Sequence, residues 1–339
     1  MTKKGLKVLF ALRSRFANFQ SIPITLSCKL FDILVRPVLL HNSEIWFMDD
    51  YLSIFRSLNR SNKNNTFCDT LSLEEKCQYE KVHNKFCKSV LGLKKTASNI
   101  AAKSELVKFP LDSFIKIQVM MYFTRINLSD INPLVKEAFN INKDLHDNGM
   151  YSWYTFATKI FEEFNFDFTE YENFNKPFYK IKNNLTKKRK EVVSENYTSK
   201  VQEKPSKITD SSELYLYSQL KSDIKLENYL LIENSFEKRH LLTKFRMSDH
   251  SLEITTGRYK NITRQQRLYS FCKEIEDEYH FFLQCERNSQ IRNAMFEKFK
   301  ELNPDYLQPL QKLNYILNPK LELLSDVYDF IKQSLELRK

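Results

Sequence analysis

The sequence predicts a mainly α-helical protein, and three observations support that fold class. Along most of the 339 residues, apolar side chains recur at intervals of three and four, which places them on one face of a helix. Stretches that alternate apolar and polar residues, as strands do, are rare, and the whole chain contains four glycines. Apolar residues make up 42% of the chain, which is enough to build a folded core. We therefore expect helices throughout, with one small irregular module towards the C-terminal end.

Proline, serine and glycine residues indicate where several of the predicted helices begin and end. Pro23 and Pro110 each stand where an apolar helical run begins, a position in which the missing N–H of proline costs nothing. Ser98 is a suitable N-terminal cap, and Gly92 is a suitable C-terminal end. The sequence predicts helices at 6–16, 23–35, 73–92, 101–107, 110–122, 131–140, 152–164, 211–222, 236–245, 289–302 and 321–337, a polar loop at 59–69, a short strand at 252–254 and a short hairpin that brackets 268–272.

Composition shifts along the chain predict five segments. The clearest shift is the stretch 186–207, which is rich in Lys, Glu and Ser and poor in apolar residues. It contains the basic tetrad 187–190, which is typical of nuclear localisation or of a phosphate contact, although a solvated helix face has the same composition. The predicted segments are helices at 1–57, a helical connector at 70–185, a basic linker at 186–207, a basic region with a Cys/His cluster at 208–303 and C-terminal helices at 304–339.

Glycine and charge content exclude some function classes and favour others. Gly5, Gly92, Gly149 and Gly257 stand alone, so no glycine-rich loop for a dinucleotide or a nucleoside triphosphate can be built. No run approaches the roughly 20 apolar residues that span a bilayer, so we expect no membrane partner. The net charge of +11 favours an acidic partner, of which nucleic acid is the commonest. Six scattered cysteines without a secretory signal indicate an intracellular protein, nuclear or cytoplasmic.

One cluster has the spacing of a small zinc knuckle. Cys272, His280 and Cys285 form the pattern C-x7-H-x4-C, and thiolate and imidazole are ligands that zinc prefers. A structural zinc site usually has four ligands, yet Tyr269 stands three residues before Cys272, where another cysteine would complete the set. The alternative is that the two cysteines are ordinary buried thiols and that the histidine is a hydrogen-bonded core residue. Oxygen ligands to complete the set could come from Glu274, Glu276 or Asp277.

A basic stretch directly precedes this cluster. Between 238 and 267 there are eight positive side chains and two negative ones, Asp249 and Glu253. Positive side chains beside a metal-held loop are typical of modules that bind a phosphate backbone. Tyr259, Tyr269 and Phe271 could stack on unpaired bases or, alternatively, pack in a core. The predicted nucleic-acid contacts are Lys238, Arg239, Lys244, Arg246, Arg258, Lys260, Arg264 and Arg267.

No catalytic site is predicted. The run Phe47-Met48-Asp49-Asp50 resembles the aromatic-x-Asp-Asp hairpin of polymerases that copy RNA. Two-metal phosphoryl transfer needs carboxylates that converge from separate strands, and the preceding 46 residues predict helices instead. We therefore interpret Asp49 and Asp50 as an acidic pair at the end of a helix, exposed to solvent. No serine, cysteine or metal-dependent hydrolase motif is present.

Several segments, taken in order, resemble a known family. They are 29–40 (KLFDILVRPVLL), 44–46, 80–83, 86–92, 98–101, 105–106, 242–246 and 276–282 (EDEYHFF). Together they resemble the region that follows the polymerase palm in the reverse transcriptases of jockey-like, LINE-type non-LTR retrotransposons. The resemblance runs in collinear order from about residue 5 to about residue 300. In such families the knuckle has the pattern C-x2-C-x7-8-H-x4-C, and Tyr269 here replaces its first cysteine.

The resemblance implies a fold and a function. Residues 1–57 would form thumb-like helices, 70–185 the helical connector, and 208–303 the basic region with its zinc-knuckle-like module. The palm with its catalytic aspartates and the endonuclease would lie upstream of Met1, so we expect a nucleic-acid-binding fragment of an RNA-directed DNA polymerase, not an enzyme in itself. RNA or DNA would be the partner and zinc the cofactor. The alternatives are a helical scaffold that binds proteins and an unselected pseudogene product.

Overall fold

The structure is a computed structural model, and it confirms a mainly α-helical fold. It describes residues 2–59, 77–128, 132–169, 178–201, 214–221, 223, 225–231, 236–299 and 307–338. Within these ranges there are α-helices and short 3-10 or π turns, and no strand beyond one isolated antiparallel bridge between Leu268 and Ile275. The α-helices are α1 (Thr2–Arg15), α2 (Ile24–Leu30), α3 (Arg36–Leu39), α4 (Ser43–Asn59), α5 (Gln78–Leu91), α6 (Asn99–Glu105), α7 (Leu111–Leu128), α8 (Pro133–Asp147), α9 (Trp153–Glu163), α10 (Phe178–Val201), α11 (Tyr215–Leu220), α12 (Phe236–Arg246), α13 (Glu253–Tyr259), α14 (Ser289–Lys298), α15 (Pro309–Leu317) and α16 (Leu324–Leu337).

Some predicted elements lie outside the described residues, and one was wrong. The polar loop predicted at 59–69, apart from Asn59, and the helix start predicted at 73–76 fall in the undescribed part. The strand predicted at 252–254 is the start of α13 instead, and the backbone N–H of Glu253 donates to the carboxylate of Glu276 (2.7 Å). A carboxylate at the first turn favours a helix, and three alternating residues are too few to outweigh it.

The chain forms two compact units, each assembled from separate segments. The first unit comprises Met1–Leu6, Val35–His83 and Phe109–Tyr197. The second unit comprises Lys7–Leu34, Asn84–Lys108 and Thr198–Lys339. The limits predicted from sequence are continuous along the chain, whereas these units are not. The predicted basic linker is helical from its start at 186 to Val201, where α10 ends.

Aromatic packing forms the core of the first unit. The ring of Phe123 on α7 lies 5.5 Å from Phe139 on α8 and 5.3 Å from Phe161 on α9, both edge to face. Phe47 on α4 meets Phe156 on α9 at 6.1 Å. All five rings are buried, and each stabilises the unit by about 1.5–3 kcal/mol. These contacts hold α4, α7, α8 and α9 together.

A second aromatic cluster supports the Cys/His region in the second unit. Phe245 at the end of α12 stacks on Phe281 at 5.2 Å and meets Phe282 edge to face at 5.2 Å. Phe330 on α16 closes the cluster, with its ring 5.7 Å from that of Phe282. Because Phe281 and Phe282 directly follow His280, their burial fixes the position of that imidazole relative to α12 and α16.

Gly92 ends α5 in a conformation that only glycine adopts without strain. Its φ is +70°, and a Cβ added there would lie 2.3 Å from Nδ1 of His240. Gly149 is a matched control, since its φ is +76° and nothing lies within 4 Å of an added Cβ. Both alanine substitutions should cost about 1 kcal/mol for the left-handed backbone. We expect Gly92→Ala to cost about 1–2 kcal/mol more, because the His240 ring must move.

Urea unfolding of the two alanine variants measures this difference, with hydrogen exchange as the readout for each unit. Equal losses of unfolding free energy for Gly92→Ala and Gly149→Ala would show that His240 moves aside without cost.

Candidate metal centre and its basic surroundings

The three predicted metal ligands converge in the second unit. Sγ of Cys272 lies 3.2 Å from Nε2 of His280, and the three ligand atoms of Cys272, His280 and Cys285 all lie within 4.8 Å of one another. Zinc bonds of about 2.3 Å to sulfur and about 2.0 Å to nitrogen in a tetrahedron would place neighbouring ligand atoms about 3.5–3.8 Å apart. A small movement of the sulfurs therefore suffices, and the group can hold a metal ion.

A tight turn presents Cys272. The antiparallel bridge between Leu268 and Ile275 brings the two ends of the turn together. Within it the N–H of Tyr269 donates to the carbonyl of Glu274 (2.8 Å), and the N–H of Lys273 donates to the carbonyl of Tyr269 (2.9 Å). This is the short hairpin that the sequence predicted around 268–272, reduced to a single bridge. Cys272 lies at its tip, half-buried.

A π-helical turn, His280–Gln284, joins the other two ligands. Its start is capped by Asp277, whose Oδ1 accepts the N–H of His280 (2.9 Å). Its end is closed by the N–H of Cys285, which donates to the carbonyl of His280 (2.7 Å). Because one hydrogen bond ties their backbones, His280 and Cys285 hold a fixed separation, and both side chains are buried.

The electrostatic surroundings favour the ligand form of His280, whereas the net shift at Cys285 favours the neutral thiol. Burial lowers the pKa of His280. The carboxylates of Asp277, Glu276 and Glu274 act in the opposite direction but do not outweigh burial, so the imidazole is neutral and available as a ligand. Burial raises the pKa of the Cys285 thiol, while the backbone N–H groups of Arg287 and Asn288 act in the opposite direction by hydrogen bonding. Such N–H donors stabilise a thiolate. In the absence of a metal, the contact between Cys272 and His280 is a thiol–imidazole hydrogen bond.

Tyr269 does not replace the missing cysteine as a ligand in this conformation. Its side chain is buried, and its phenol oxygen accepts a hydrogen bond from Nη1 of Arg287 (3.0 Å). Its ring meets that of His280 edge to face at 6.3 Å. The tyrosine therefore packs beside the metal group and contributes apolar support to it.

Two of the three acidic side chains considered as a fourth ligand have other partners. Oδ2 of Asp277 accepts from Nη2 of Arg264 (2.7 Å). The carboxylate of Glu276 accepts two hydrogen bonds from the guanidinium of Arg338 (2.6 and 2.8 Å). Glu274 is exposed at the end of the turn. An oxygen ligand would most readily come from Glu274 or from water, since neither requires a buried ion pair to break.

Three of the eight residues predicted to contact nucleic acid are buried. Arg246 is fully enclosed, and its Nε donates to Oε1 of Glu105 (2.8 Å). Arg267 donates to the carbonyls of Ile262 (2.9 Å) and Ile254 (3.0 Å). Arg239 is likewise buried, and burial lowers its pKa. In this conformation the guanidinium groups of Arg239, Arg246 and Arg267 support the fold and do not face a phosphate.

The other five lie at the surface or partly so. Lys260 is exposed, and Lys238, Lys244, Arg258 and Arg264 are half-buried. Burial lowers the pKa of Arg267, and the nearby charges of Arg258 and Arg264 lower it further. Three of the predicted arginines therefore lie close enough to interact. Arg258 and Lys260 lie at the end of α13, and Arg264 lies in the 3-10 turn that leads to the metal group.

The aromatic residues of the region also include both buried and exposed side chains. Tyr269 is buried, but the side chains of Tyr259 and Phe271 are 54% and 58% exposed. The core packing considered for Phe271 is therefore absent, and the guanidinium of Arg287 lies 5.3 Å from its ring centroid. Sequence reasoning missed both Arg287 and Arg292, whose Nη1 donates to the carbonyl of Cys285 (2.7 Å). The ligand spacing carries no signal for either.

The acidic pair Asp49 and Asp50 lies in the first unit, inside α4 and not at its end as predicted. Asp49 is exposed and Asp50 is half-buried. Burial, together with the charge of Asp49, raises the pKa of Asp50. Successive residues of one helix point about 100° apart, so the two carboxylates do not converge on a single point.

No family model, curated protein or solved structure matches the chain. Among the described residues, no helix has both the length and the apolar content needed to cross a membrane.

Proposed function

We propose that the stretch 236–299 of the second unit is a nucleic-acid-binding module held by a zinc ion. The observation that carries the proposal is the convergence of Cys272, His280 and Cys285 within 4.8 Å. Two thiolates and one imidazole favour zinc over magnesium or calcium, which prefer oxygen ligands. Glu274 or water would complete the coordination. The zinc would fix the turn at Cys272 relative to the segment 258–267 that leads to it.

The charges of that segment support the choice of partner. Arg258, Lys260 and Arg264 follow one another over seven residues, and Arg258 and Arg264 approach closely enough to lower the pKa of Arg267. Bringing like charges together costs free energy unless an anion offsets it, and a phosphate backbone does so while releasing its counterions. The ion pair between Arg264 and Asp277 is largely buried, with 20% and 14% of the side chains exposed, so a phosphate must compete with Asp277 for the guanidinium of Arg264.

The resemblance to the tail of non-LTR retrotransposon reverse transcriptases adds the biological context of the proposal. Such a module would hold element RNA or target DNA for the polymerase active site of such a reverse transcriptase. An intracellular location, nuclear or cytoplasmic, belongs to the same proposal. We propose no polymerase or nuclease activity for this chain.

The test is fluorescence anisotropy with an RNA stem-loop over a series of salt concentrations. We expect affinity to fall steeply with salt, with a slope of about −0.7 to −0.9 in log K against log salt per phosphate contact. The double variant Arg258→Ala/Arg264→Ala should lower the slope by up to about 2 and weaken binding to all sequences alike. Zinc content and circular dichroism of the variant confirm that the module is folded.

Lys225→Ala is the matched control, because Lys225 is an exposed cation of the same unit, paired with Asp223 and outside the basic segment. It should leave affinity and slope unchanged. Binding that ignores salt, or that survives loss of both arginines, would refute the proposal. A helical scaffold that binds only proteins predicts that outcome.

A further inference from the structure

We propose that the module binds single-stranded nucleic acid, with an unpaired base stacked on Tyr259 and the neighbouring phosphates held by a loop that is distant in sequence, Lys94-Lys95-Thr96. This inference rests on the proposed function and names its substrate class. Tyr259 is the last residue of α13, and its Oη lies 3.3 Å from Oγ1 of Thr96. Both segments belong to the second unit. The phenol edge is anchored, and 54% of the side chain remains exposed.

The loop is held in place by hydrogen bonds to its backbone. The N–H of Lys94 donates to Oδ2 of Asp249 (2.9 Å), a buried carboxylate just beyond the end of α12. The ammonium group of Lys88 donates to the carbonyl of Lys95 (2.7 Å). Because these bonds fix the backbone, the position of the Thr96 hydroxyl against Tyr259 is set before any ligand arrives, which lowers the entropic cost of binding.

Four cationic residues belong to the two segments that meet at Tyr259. Lys94 and Lys95 come from the loop, and Arg258 and Lys260 flank the tyrosine in sequence. The ammonium group of Lys94 lies 3.3 Å from Oδ1 of Asp249, yet the Lys94 side chain is 56% exposed. Lys95 and Lys260 are exposed. Four cationic residues against the one buried carboxylate of Asp249 leave these two segments with excess positive charge, which suits phosphates.

An exposed aromatic face within a cationic surface distinguishes single strands from duplexes. In a duplex both faces of each base are covered by stacking, whereas an unpaired base can lay one face on a tyrosine ring. Since every base has such a face, the interaction tolerates sequence variation. A duplex would use the phosphate contacts alone.

The experiment compares a 12-nucleotide single strand with a hairpin duplex by anisotropy, using the full chain loaded with zinc. Tyr259→Ala should weaken single-strand binding by about 5- to 150-fold and change duplex binding less than about twofold. Tyr259→Phe should keep most of the single-strand affinity, because the ring is retained, and should lose only the smaller contribution of the anchoring contact to Thr96. Tyr259→Leu keeps an apolar side chain without a π face and should bind like the alanine variant. Lys95→Ala should lower the salt slope for single strands by about 0.7.

The outcomes separate this inference from the proposed function. If Tyr259→Ala and Tyr259→Leu retain full single-strand affinity while Arg258→Ala/Arg264→Ala loses it, the stacking site is refuted and the module remains a phosphate binder. If neither nucleic acid binds with a dependence on salt, both proposals fail. Equal losses for single strand and duplex also overturn the stacking site, because they indicate a change in fold or in phosphate contacts. Zinc content and thermal unfolding of each variant identify the former.

Discussion

Replacing Arg246 with methionine is expected to destabilise the second unit by about 3–5 kcal/mol. The guanidinium is fully buried, with Nε 2.8 Å from Oε1 of Glu105 and Nη2 3.3 Å from Oε1 of Glu227. Methionine approximates the length of the side chain but carries no charge, so Glu105 would remain buried without its main partner. An uncompensated buried carboxylate is among the most costly changes that a core can undergo.

The surroundings of Glu105 explain why the loss should be large. Its carboxylate also accepts hydrogen bonds from the phenols of Tyr217 (3.0 Å) and Tyr229 (2.6 Å), and the ammonium group of Lys221 lies 3.9 Å away. Burial alone would raise the pKa of Glu105, but the charges of Arg246 and Lys221 outweigh it and lower that pKa. A carboxyl whose pKa is lowered on folding stabilises the protein above its ordinary pKa of about 4.3. That stability is lost as the pH falls through the folded value.

A double-mutant cycle measures the pair. Glu105→Gln should be costly alone, and the double variant Glu105→Gln/Arg246→Met should lose less stability than the sum of the two single variants, by at least about 1 kcal/mol. The conservative variant Arg246→Lys should be intermediate, because lysine keeps the charge but cannot make both hydrogen bonds of the guanidinium, to Glu105 and to the carbonyl of Leu317. Additive losses would show that Glu105 and Arg246 are not coupled, and a loss below about 1 kcal/mol for Arg246→Met would contradict the prediction.

Arg246 also shows how far the sequence could predict this fold. The helix around it was predicted at 236–245 and found as α12, because apolar spacing is a local property. Its partner Glu105 lies 141 residues away, and nothing in the local pattern separates a buried arginine from a surface one. The two units could not be predicted for the same reason. Each combines segments that are far apart in the sequence.

In the candidate site, too, the sequence could predict the local features and not the long-range contacts. Cys272, His280 and Cys285 lie within fourteen residues, so their spacing was sufficient to predict the group that the structure assembles. The contact between Thr96 and Tyr259 spans 163 residues and has no signal in a single sequence. The exposure of Phe271 was also beyond prediction, because phenylalanine is buried more often than not and the local sequence does not mark this one as exposed.

Removal of zinc is expected to produce the other large effect. If the module is purified at a free zinc concentration 100–1,000 times its dissociation constant, the metal adds about 2.7–4.1 kcal/mol to the stability of the second unit. A chelator should therefore lower the unfolding temperature and release about one equivalent of zinc per chain. Cys285→Ser should abolish both the zinc content and the response to chelator, because it removes a buried ligand tied to His280.

Two further variants make the metal prediction specific. Cys28→Ser is the matched control, a half-buried cysteine of the same unit outside the metal group, and it should retain full zinc content. Tyr269→Cys would place a fourth soft ligand three residues before Cys272 and should tighten zinc binding at least about tenfold in a competition assay with a chromophoric chelator. The gain is the stronger test, because general loss of structure cannot imitate it. Zinc content near zero in the natural protein, together with no gain from Tyr269→Cys, would leave the contact between Cys272 and His280 as a hydrogen bond within the core.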